Sequence, residues 1–477
     1  MWETVIGLEV HVELSTKSKI FCSCSTAFGG EPNTQCCPVC MGMPGTLPVF
    51  NKQVLEYAAK AAIALHCEIS RTTVFDRKNY FYPDLPKAYQ ISQLYSPIGR
   101  NGYMEIEVEG ETKRIGIHEM HMEEDAGKLI HSEFDNETYP DYNRCGVPLI
   151  EIVAEPDFRS AKEVVAYLEK LKSMCEYLGI SDCKMQEGSM RADVNLSVRK
   201  KGDAAFGVRT ETKNVNSFRA IEHAIEFETA RQIDILESGG TVKQETRHWN
   251  EDRRTGVAMR SKENAQDYRY FPDPDLPPVV LSEEYIEQLT SSLPELSEVR
   301  RARFTQEYAL SDYAAGRLTA SKALADLFEN TVKLCNEPKE TANWLIECLP
   351  KALDDAGVAF EDADISFETF AEFIGAIRSK TINKNVGMKV LAAMVKEGSS
   401  FDLKGYIEKN GMAMIDDTDM IRAAVKKVLA ENQKSVEEYR AGKTKVLGFL
   451  IGQVMRSLGG KANPASVNAV MAEELNG

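Results

Sequence analysis

Ile6-Gly7-Leu8-Glu9-Val10-His11-Val12-Glu13-Leu14 is the stretch on which the fold turns. Its apolar residues Ile6, Leu8, Val10, Val12 and Leu14 fall at every second position, the period of a β-strand with one buried face. Glu9, His11 and Glu13 then share the other face. Arg191 to Arg199 repeats the pattern: Ala192, Val194, Leu196 and Val198 alternate with Arg191, Asp193, Asn195 and Arg199. Arg209-Thr210-Glu211-Thr212-Lys213 does so with mixed charge. Glu151 stands between Ile150 and Ile152 in a strongly apolar strand, an expensive place for a lone carboxylate. His121-Met122-Glu123-Glu124-Asp125 sets three acids beside a histidine and continues into Ala126-Gly127-Lys128.

Helices interrupt these strands. One is expected from Ser160, as N-cap, to Leu178, with Val164, Leu168, Leu171 and Met174 near helical spacing. Another runs from about Ser217 to Glu237 and stops at Gly239-Gly240. Strands and helices grouped this way predict an α+β domain with an antiparallel or mixed sheet. After Leu281 the chain turns to Ala/Leu/Glu-rich stretches with helical spacing. Helix breaks are expected at Asn336-Glu337-Pro338 and Leu349-Pro350, and a boundary before a C-terminal helical module at Glu397-Gly398-Ser399-Ser400. A weak echo links Tyr80-Phe81-Tyr82-Pro83-Asp84-Leu85-Pro86 with Tyr270-Phe271-Pro272-Asp273-Pro274-Asp275-Leu276-Pro277. A duplicated unit and convergent Pro-Asp turn chemistry explain it equally well.

The chain has 477 residues, enough for about three domains. It is 43% hydrophobic and 27% charged, the balance of a soluble globular protein. Its net charge of −16 requires any nucleic acid to meet a local basic patch. The opening Met1-Trp2-Glu3-Thr4 lacks the layout of a signal peptide, and no apolar run is long enough to span a membrane. Eleven cysteines, an odd count spread over a long chain, do not suit a disulfide scaffold. The expectation is a reduced, cytoplasmic protein.

A single alternating polar face is ordinarily just solvated. Five such segments in one region instead suggest carboxylates converging, with an imidazole, on a hard divalent cation such as magnesium. Neighbouring Arg and Lys would hold phosphates, which together suits phosphoryl transfer by positioning and electrostatics. Other nucleotide and hydrolase signatures are missing. Gly442-Lys443-Thr444 looks like the end of a P-loop, but Glu437 stands where its first glycine is required. No G-x-G-x-x-G follows a strand and no nucleophile elbow is present.

Cys22-x-Cys24 and Cys37-Pro38-Val39-Cys40 form two close pairs whose spacing suits four-thiolate zinc, with Cys36 an alternative fourth ligand. Metal-free packed thiols or a redox C-x-x-C pair are the other readings. Between Phe75 and Gln93, Arg77, Lys78 and Lys87 interleave with Tyr80, Phe81, Tyr82 and Tyr89, a composition that serves either base stacking or core packing. Between Glu438 and Glu473 there are no acids, but Arg440, Lys443, Lys445, Arg456 and Lys461 are present. This local positive patch suits an RNA backbone or a solvated helix face.

Taken together, Val5 to Leu14, Asp76 to Ser92, His121 to Lys128, Pro148-Leu149-Ile150-Glu151-Ile152-Val153 and Gly459-Gly460-Lys461-Ala462-Asn463-Pro464 closely resemble the B subunits of the bacterial aspartyl/glutamyl-tRNA amidotransferases, over essentially the whole chain. The resemblance implies a ligase component that uses ATP and magnesium to phosphorylate the side-chain carboxylate of Glu on tRNA(Gln), or of Asp on tRNA(Asn). Ammonia then displaces the phosphate. It would come from glutamine, hydrolysed by an amidase partner and delivered through an internal tunnel, with a small third subunit completing a heterotrimer. Matched residue by residue, Glu9, His11, Glu124, Glu151, Asp193 and Glu211 would form the metal–ATP centre, with Glu123 and Asp125 as neighbours. Lys78, Arg191 and Lys213 are phosphate-contact candidates.

Zinc on Cys22, Cys24, Cys37 and Cys40 would be structural, since some members of the family lack the quartet. The implied architecture is a glutamine-synthetase-like antiparallel-sheet catalytic domain over residues 1–292, with a zinc-binding insertion at about 20–46. A helical linker domain over 293–398 and an all-α tRNA-binding tail over 399–477 would follow. The competing functions are a stand-alone ATP-dependent carboxylate–amine ligase for a small metabolite and a non-catalytic zinc-containing RNA-binding adaptor.

Overall fold

The computed structural model describes residues 1–132, 136–259, 267–412, 418–440, 443–459 and 462–476. The chain divides into two compact units, Met1–Leu296 and Ser297–Gly477.

In the first unit, the alternation around Glu9 becomes the strand Trp2–Glu13 at the centre of a nine-stranded sheet. From one edge to the other the order is Thr255–Ala258, Thr246–Asn250, Thr210–Lys213, Met190–Lys200, Trp2–Glu13, Pro148–Ala154, Glu111–Glu124, Gly99–Val108 and Glu68–Ile69. Neighbours run antiparallel except Thr210–Lys213 and Thr246–Asn250, which are parallel. Ile6, Leu8, Val10 and Val12 join Ile150, Ile152, Ala192, Val194 and Leu196 in one buried cluster with residues of three helices, Lys52–Ala64, Ala161–Leu178 and Phe218–Glu237. One sheet face is thus closed by helices, leaving the polar residues of each strand on the other, an α+β arrangement.

Both expected helices have the predicted caps. Ser160 Oγ accepts from Glu163 N at 3.3 Å and Ser217 Oγ accepts from Ala220 N at 3.0 Å. Each satisfies an amide that has no partner within its helix.

Two short ladders hold the 71–95 segment to the end of this unit. Asp76–Asn79 lies between Tyr89–Ser92 and Phe271–Pro272, and Thr72–Thr73 pairs with Val279–Val280. The second half of the Tyr-Phe-Pro-Asp echo therefore abuts the strand that leads into the first: Arg77 pairs with Phe271, and its guanidinium reaches Asp273 and Asp275, both at 2.8 Å.

The second unit is helical, and among the described residues no strand follows Val280. Its larger core gathers Phe304, Phe328, Trp344, Phe370, Phe373 and Leu391, and extends to Leu403 and Ile407. Asn336, at φ 54°, closes the helix Lys322–Cys335, and the next helix begins at Pro338, as the Asn-Glu-Pro break requires. The break expected at Leu349-Pro350 is instead a π-helical turn, Trp344–Cys348, running into the helix Leu349–Ala356. A widened turn accommodates the missing proline N–H without ending the rod. At Gly398–Ser400 there is a single 3₁₀ turn, after which Leu403–Lys409 packs back into the same core. A separate small core holds Ile421, Val425, Leu450, Val454, Val467 and Met471. Among the described residues no helix is long and apolar enough to cross a membrane.

Candidate active site

Register across the sheet assembles the site. His11 pairs with Arg191 on one side and Glu151 on the other, and Glu151 pairs with His121, so four polar side chains stand in a row across four strands. Two residues along the central strand, Glu9 pairs with Asp193. Two groups result. In His11, Glu123 and Glu151, and again in Glu9, Asp193 and Glu211, the donor atoms all lie within 4.8 Å of one another.

In the first group, His11 Nε2 stands 3.5 Å from both Glu123 Oε1 and Glu151 Oε2. His121 Nε2 is 2.9 Å from Glu151 Oε2 and 3.6 Å from Glu123 Oε2, while its Nδ1 is buried without a hydrogen bond. Burial alone would discharge the His121 ring, but Glu151 and Glu123 outweigh it and push its pKa up to about 10. His11 is raised in the same way. Glu151, despite burial, is held well below the usual carboxylate range by the two imidazoles. Glu13 follows on the same strand, where burial and then the charge of Asp125 push it to about 8.

In the second group, burial and then the negative charge of Glu151 raise Glu9, while Asn195 Nδ2 donates to it at 2.9 Å. Lys213 bridges Asp193 and Glu211, reaching Glu211 Oε1 at 2.8 Å. Glu211 is kept below its ordinary value because that lysine, with the Thr246 hydroxyl, outweighs its burial. The other candidate cations are paired as well. Arg191 Nη2 donates to Asp125 Oδ2 at 2.7 Å. Lys78 Nζ lies 5.1 Å from the Tyr268 ring centre, where its charge feels Glu123 and Glu151. Lys213 and Arg191 are thus held where a phosphate oxygen could replace a carboxylate partner.

Glu124, expected in the metal–ATP centre, is in neither group. Its carboxylate faces away from the two groups, accepts from Ile91 N at 2.8 Å, pairs with Lys87, and lines a cavity of about 160 Å³ with Lys19, Cys22 and Cys40. Alternation from His121 onward puts Glu124 with Met122, opposite His121 and Glu123, and the phase of that run is set by an irregularity at His118. Glu119 pairs with Val153, whereas Ile117 pairs with Ala154, so one extra residue resets the alternation. Ile115 and Ile117 point into the core before it, Met120 and Met122 after it. Glu123 and His121 therefore occupy the polar face.

The cysteines stand apart from this row. Cys22, Cys24, Cys37 and Cys40 bring their sulfurs within 4.8 Å of one another and could hold a metal; Cys36 is not among them, and its thiol lies 3.2 Å from Asn33 O. Cys37 N donates to Cys40 Sγ at 3.2 Å, and the buried Lys19 Nζ approaches that sulfur at 3.7 Å. A thiol hydrogen bond from Cys22 holds Cys40 down to about 4, while Cys24 is pushed up to about 11, chiefly by burial. A tetrahedral metal ion bound there would hold all four as thiolates.

On the C-terminal helices and the turn between them, Arg440, Lys443, Lys445 and Arg456 are exposed, although Lys443 also lies 3.7 Å from Glu438. Lys461 lies outside the described residues.

The centre sits within residues 4–287, which match the model of the GatB/GatE catalytic domain, while residues 326–475 match that of the GatB domain. The similarity is continuous. The GatB-type subunit of the aspartyl/glutamyl-tRNA(Asn/Gln) amidotransferase of Lachnoclostridium phytofermentans is 55% identical over 476 residues, 100% of this chain and 99% of that protein. The corresponding subunits from Lachnospira eligens and Caldicellulosiruptor bescii are each 52% identical, over 99% of both chains. The chain belongs to the GatB family of aspartyl/glutamyl-tRNA(Asn/Gln) amidotransferase subunits.

Proposed function

We propose that this protein carries the ATP-dependent half of the tRNA amidation. It transfers the γ-phosphoryl group of ATP to the side-chain carboxylate of Glu on tRNA(Gln) or Asp on tRNA(Asn), and ammonia then displaces phosphate to leave the amide. The ammonia comes from glutamine, hydrolysed by a partner amidase in a heterotrimer with a small third subunit. The observation that carries this reading is the placing of two carboxylate groups side by side on one sheet face, joined through Glu9 and His11 of a single strand.

The donor sets fit hard cations. Both are rich in carboxylate oxygen, and Glu9 bears repulsion from Glu151, Asp193 and Glu211 that a divalent charge would relieve. His11, Glu123 and Glu151 would hold one magnesium ion, and Glu9, Asp193 and Glu211 a second. Magnesium bound there supplies charge neutralisation along the phosphates. The protein's own side chains do the rest. Lys213 and Arg191 shift from carboxylate to phosphate partners, and Lys78 faces the incoming carboxylate across Glu123. His121 orients Glu151 through its Nε2. No protein nucleophile is required, because the acceptor carboxylate attacks phosphorus directly. A sheet presenting acids this way is also the reason to class the domain with the glutamine-synthetase-like folds, whose reaction forms the same type of acyl phosphate.

We further assign Cys22, Cys24, Cys37 and Cys40 to a structural zinc ion, and Arg440, Lys443, Lys445, Arg456 and Lys461 to the tRNA backbone. For zinc, metal analysis of the purified chain is expected to give one equivalent, lost in Cys37→Ser together with a lowered melting temperature; a zinc-free, equally stable wild-type chain contradicts it.

The function is tested by reconstituting the heterotrimer and following ATP hydrolysis with Glu-tRNA(Gln) and with Asp-tRNA(Asn). Hydrolysis that rises only with a mischarged tRNA supports the assignment, whereas equal turnover with free glutamate or aspartate favours the stand-alone ligase. Deleting residues from Thr418 onward leaves the larger helical core intact. It is expected to raise the KM for tRNA about tenfold or more, since several phosphate contacts are lost together.

A further inference from the structure

The strand Tyr89–Ser92 belongs to the small sheet of the 71–95 segment, not to the nine-stranded one, yet it grips the end of Glu111–Glu124 residue by residue. Gln90 Nε2 donates to Glu124 O at 2.8 Å, Ile91 N donates to Glu124 Oε1 at 2.8 Å, and Gln93 Oε1 accepts from Met122 N at 3.0 Å. Gln93 is itself tied back through Nε2 to Val74 O at 3.2 Å. Ser92 Oγ donates to Glu123 Oε2 at 3.2 Å. Of the bonds that cross to Met122, Glu123 and Glu124, only this one ends on a carboxylate of the two candidate metal groups. Ser92 and Glu123 are each 2% exposed, so water has little access to take the place of the hydroxyl.

This bond sets the two oxygens of Glu123 to different tasks. Oε2 takes the serine hydroxyl and lies 3.6 Å from His121 Nε2, whereas Oε1 is turned toward His11, 3.5 Å from its Nε2. A hydroxyl fixes the orientation of a carboxylate without adding the positive charge that Lys87 brings to Glu124. We propose that Ser92 is a positioning residue for magnesium: its hydroxyl holds Glu123 so that Oε1 faces the ion shared with His11 and Glu151. The inference rests on the reading that those three residues hold a magnesium ion. It also gives the small sheet a part in the reaction, since the strand that carries Ser92 is held by Asp76–Asn79 and, through it, by Phe271–Pro272.

Manganese, a stand-in for magnesium that is read by electron paramagnetic resonance, is titrated into the full complex without nucleotide. Glu123→Gln marks the ion in question as the one it abolishes. Ser92→Ala is expected to weaken that same ion about tenfold, the loss usual when a metal ligand is deprived of the group that orients it. The strand itself should stay in place, because the bonds of Gln90, Ile91 and Gln93 remain. In amidation assays the magnesium concentration at half-maximal rate should rise by a similar factor, with kcat at saturating magnesium within twofold of wild type, a recovery that damage to the fold would not allow. Ser92→Thr, which keeps the hydroxyl, is expected to bind manganese as the wild type does. Manganese affinity within twofold of wild type in Ser92→Ala, equal weakening in Ser92→Ala and Ser92→Thr, or a kcat that magnesium does not restore overturns the positioning role and leaves the metal centre standing. If the wild-type complex binds no manganese that Glu123→Gln removes, the metal reading of this group falls, and the role of Ser92 with it.

Discussion

Glu151→Gln lowers tRNA-dependent ATP hydrolysis and amidation by at least about 100-fold, the scale of losing one pre-organised electrostatic contact in a water-excluded centre. Glu151 is the carboxylate on which the row converges. It lies 2.9 Å from His121 and 3.5 Å from His11, and burial makes its charge effective. Glutamine has the same shape but no charge. It would offer a divalent ion a weaker oxygen, and it would release both imidazoles from the pairing that holds their pKa values up. The loss should appear in kcat, with binding of the charged tRNA changed less than twofold, because the basic tail helices form their own core. A loss smaller than threefold in kcat removes Glu151 from the centre.

The second large effect is on stability. Glu228 is buried in the helix Phe218–Glu237. It accepts from Thr210 Oγ1 at 2.7 Å, from Gln232 Nε2 at 2.9 Å and from Arg231 Nε at 2.8 Å, and stands 3.3 Å from the buried Arg247. Glu228→Ala leaves those donors facing an empty site and is expected to cost about 3 kcal/mol, as for other buried pairs that lose one member. Trp249, buried two residues beyond Arg247, reports the change as a lower urea midpoint by fluorescence. The pH dependence has a definite sign. Burial favours the protonated acid, but the bonds from Arg231, Gln232 and Thr210 prevail, so the folded pKa lies below the ordinary value near 4.3. Its stabilisation is complete above that ordinary value and is lost as pH falls through the lower, folded one. The wild-type midpoint should therefore fall toward the variant's below about pH 4. A gap that stays constant through that range excludes the charge as its source.

The reach of the sequence is clearest along the central strand. Alternation from Ile6 to Leu14 places Glu9 and His11 on one face because that strand is regular from end to end. Glu124 enters the expected centre through the family resemblance, whereas alternation from His121 groups that histidine with Glu123, as the ladder does. Glu151 and His121 are visible in the sequence as a buried acid and a histidine among acids. Only the register, however, makes them partners, and a weak signal for it lies in the change of apolar phase from Ile115 and Ile117 to Met120 and Met122. The capped helices after Ser160 and Ser217 are readable because capping is local chemistry. The packing of Leu403–Lys409 depends on contacts distant in sequence, so a Gly-Ser-Ser break could not place it.

The clasp between the 71–95 segment and residues 271–281 also fixes when the protein can become competent. Thr72–Thr73 finds its strand partner in Val279–Val280, the second edge of Asp76–Asn79 is covered by Phe271–Pro272, and Leu281 N closes onto Arg71 O at 2.9 Å. During synthesis, these two short segments must each wait with an unpaired edge until roughly 280 residues have left the ribosome. Such an edge invites pairing with another chain. The nascent unit thus has its longest vulnerable interval just before its last ladder closes, a window in which prompt engagement of a chaperone or a partner protein would have the most to protect.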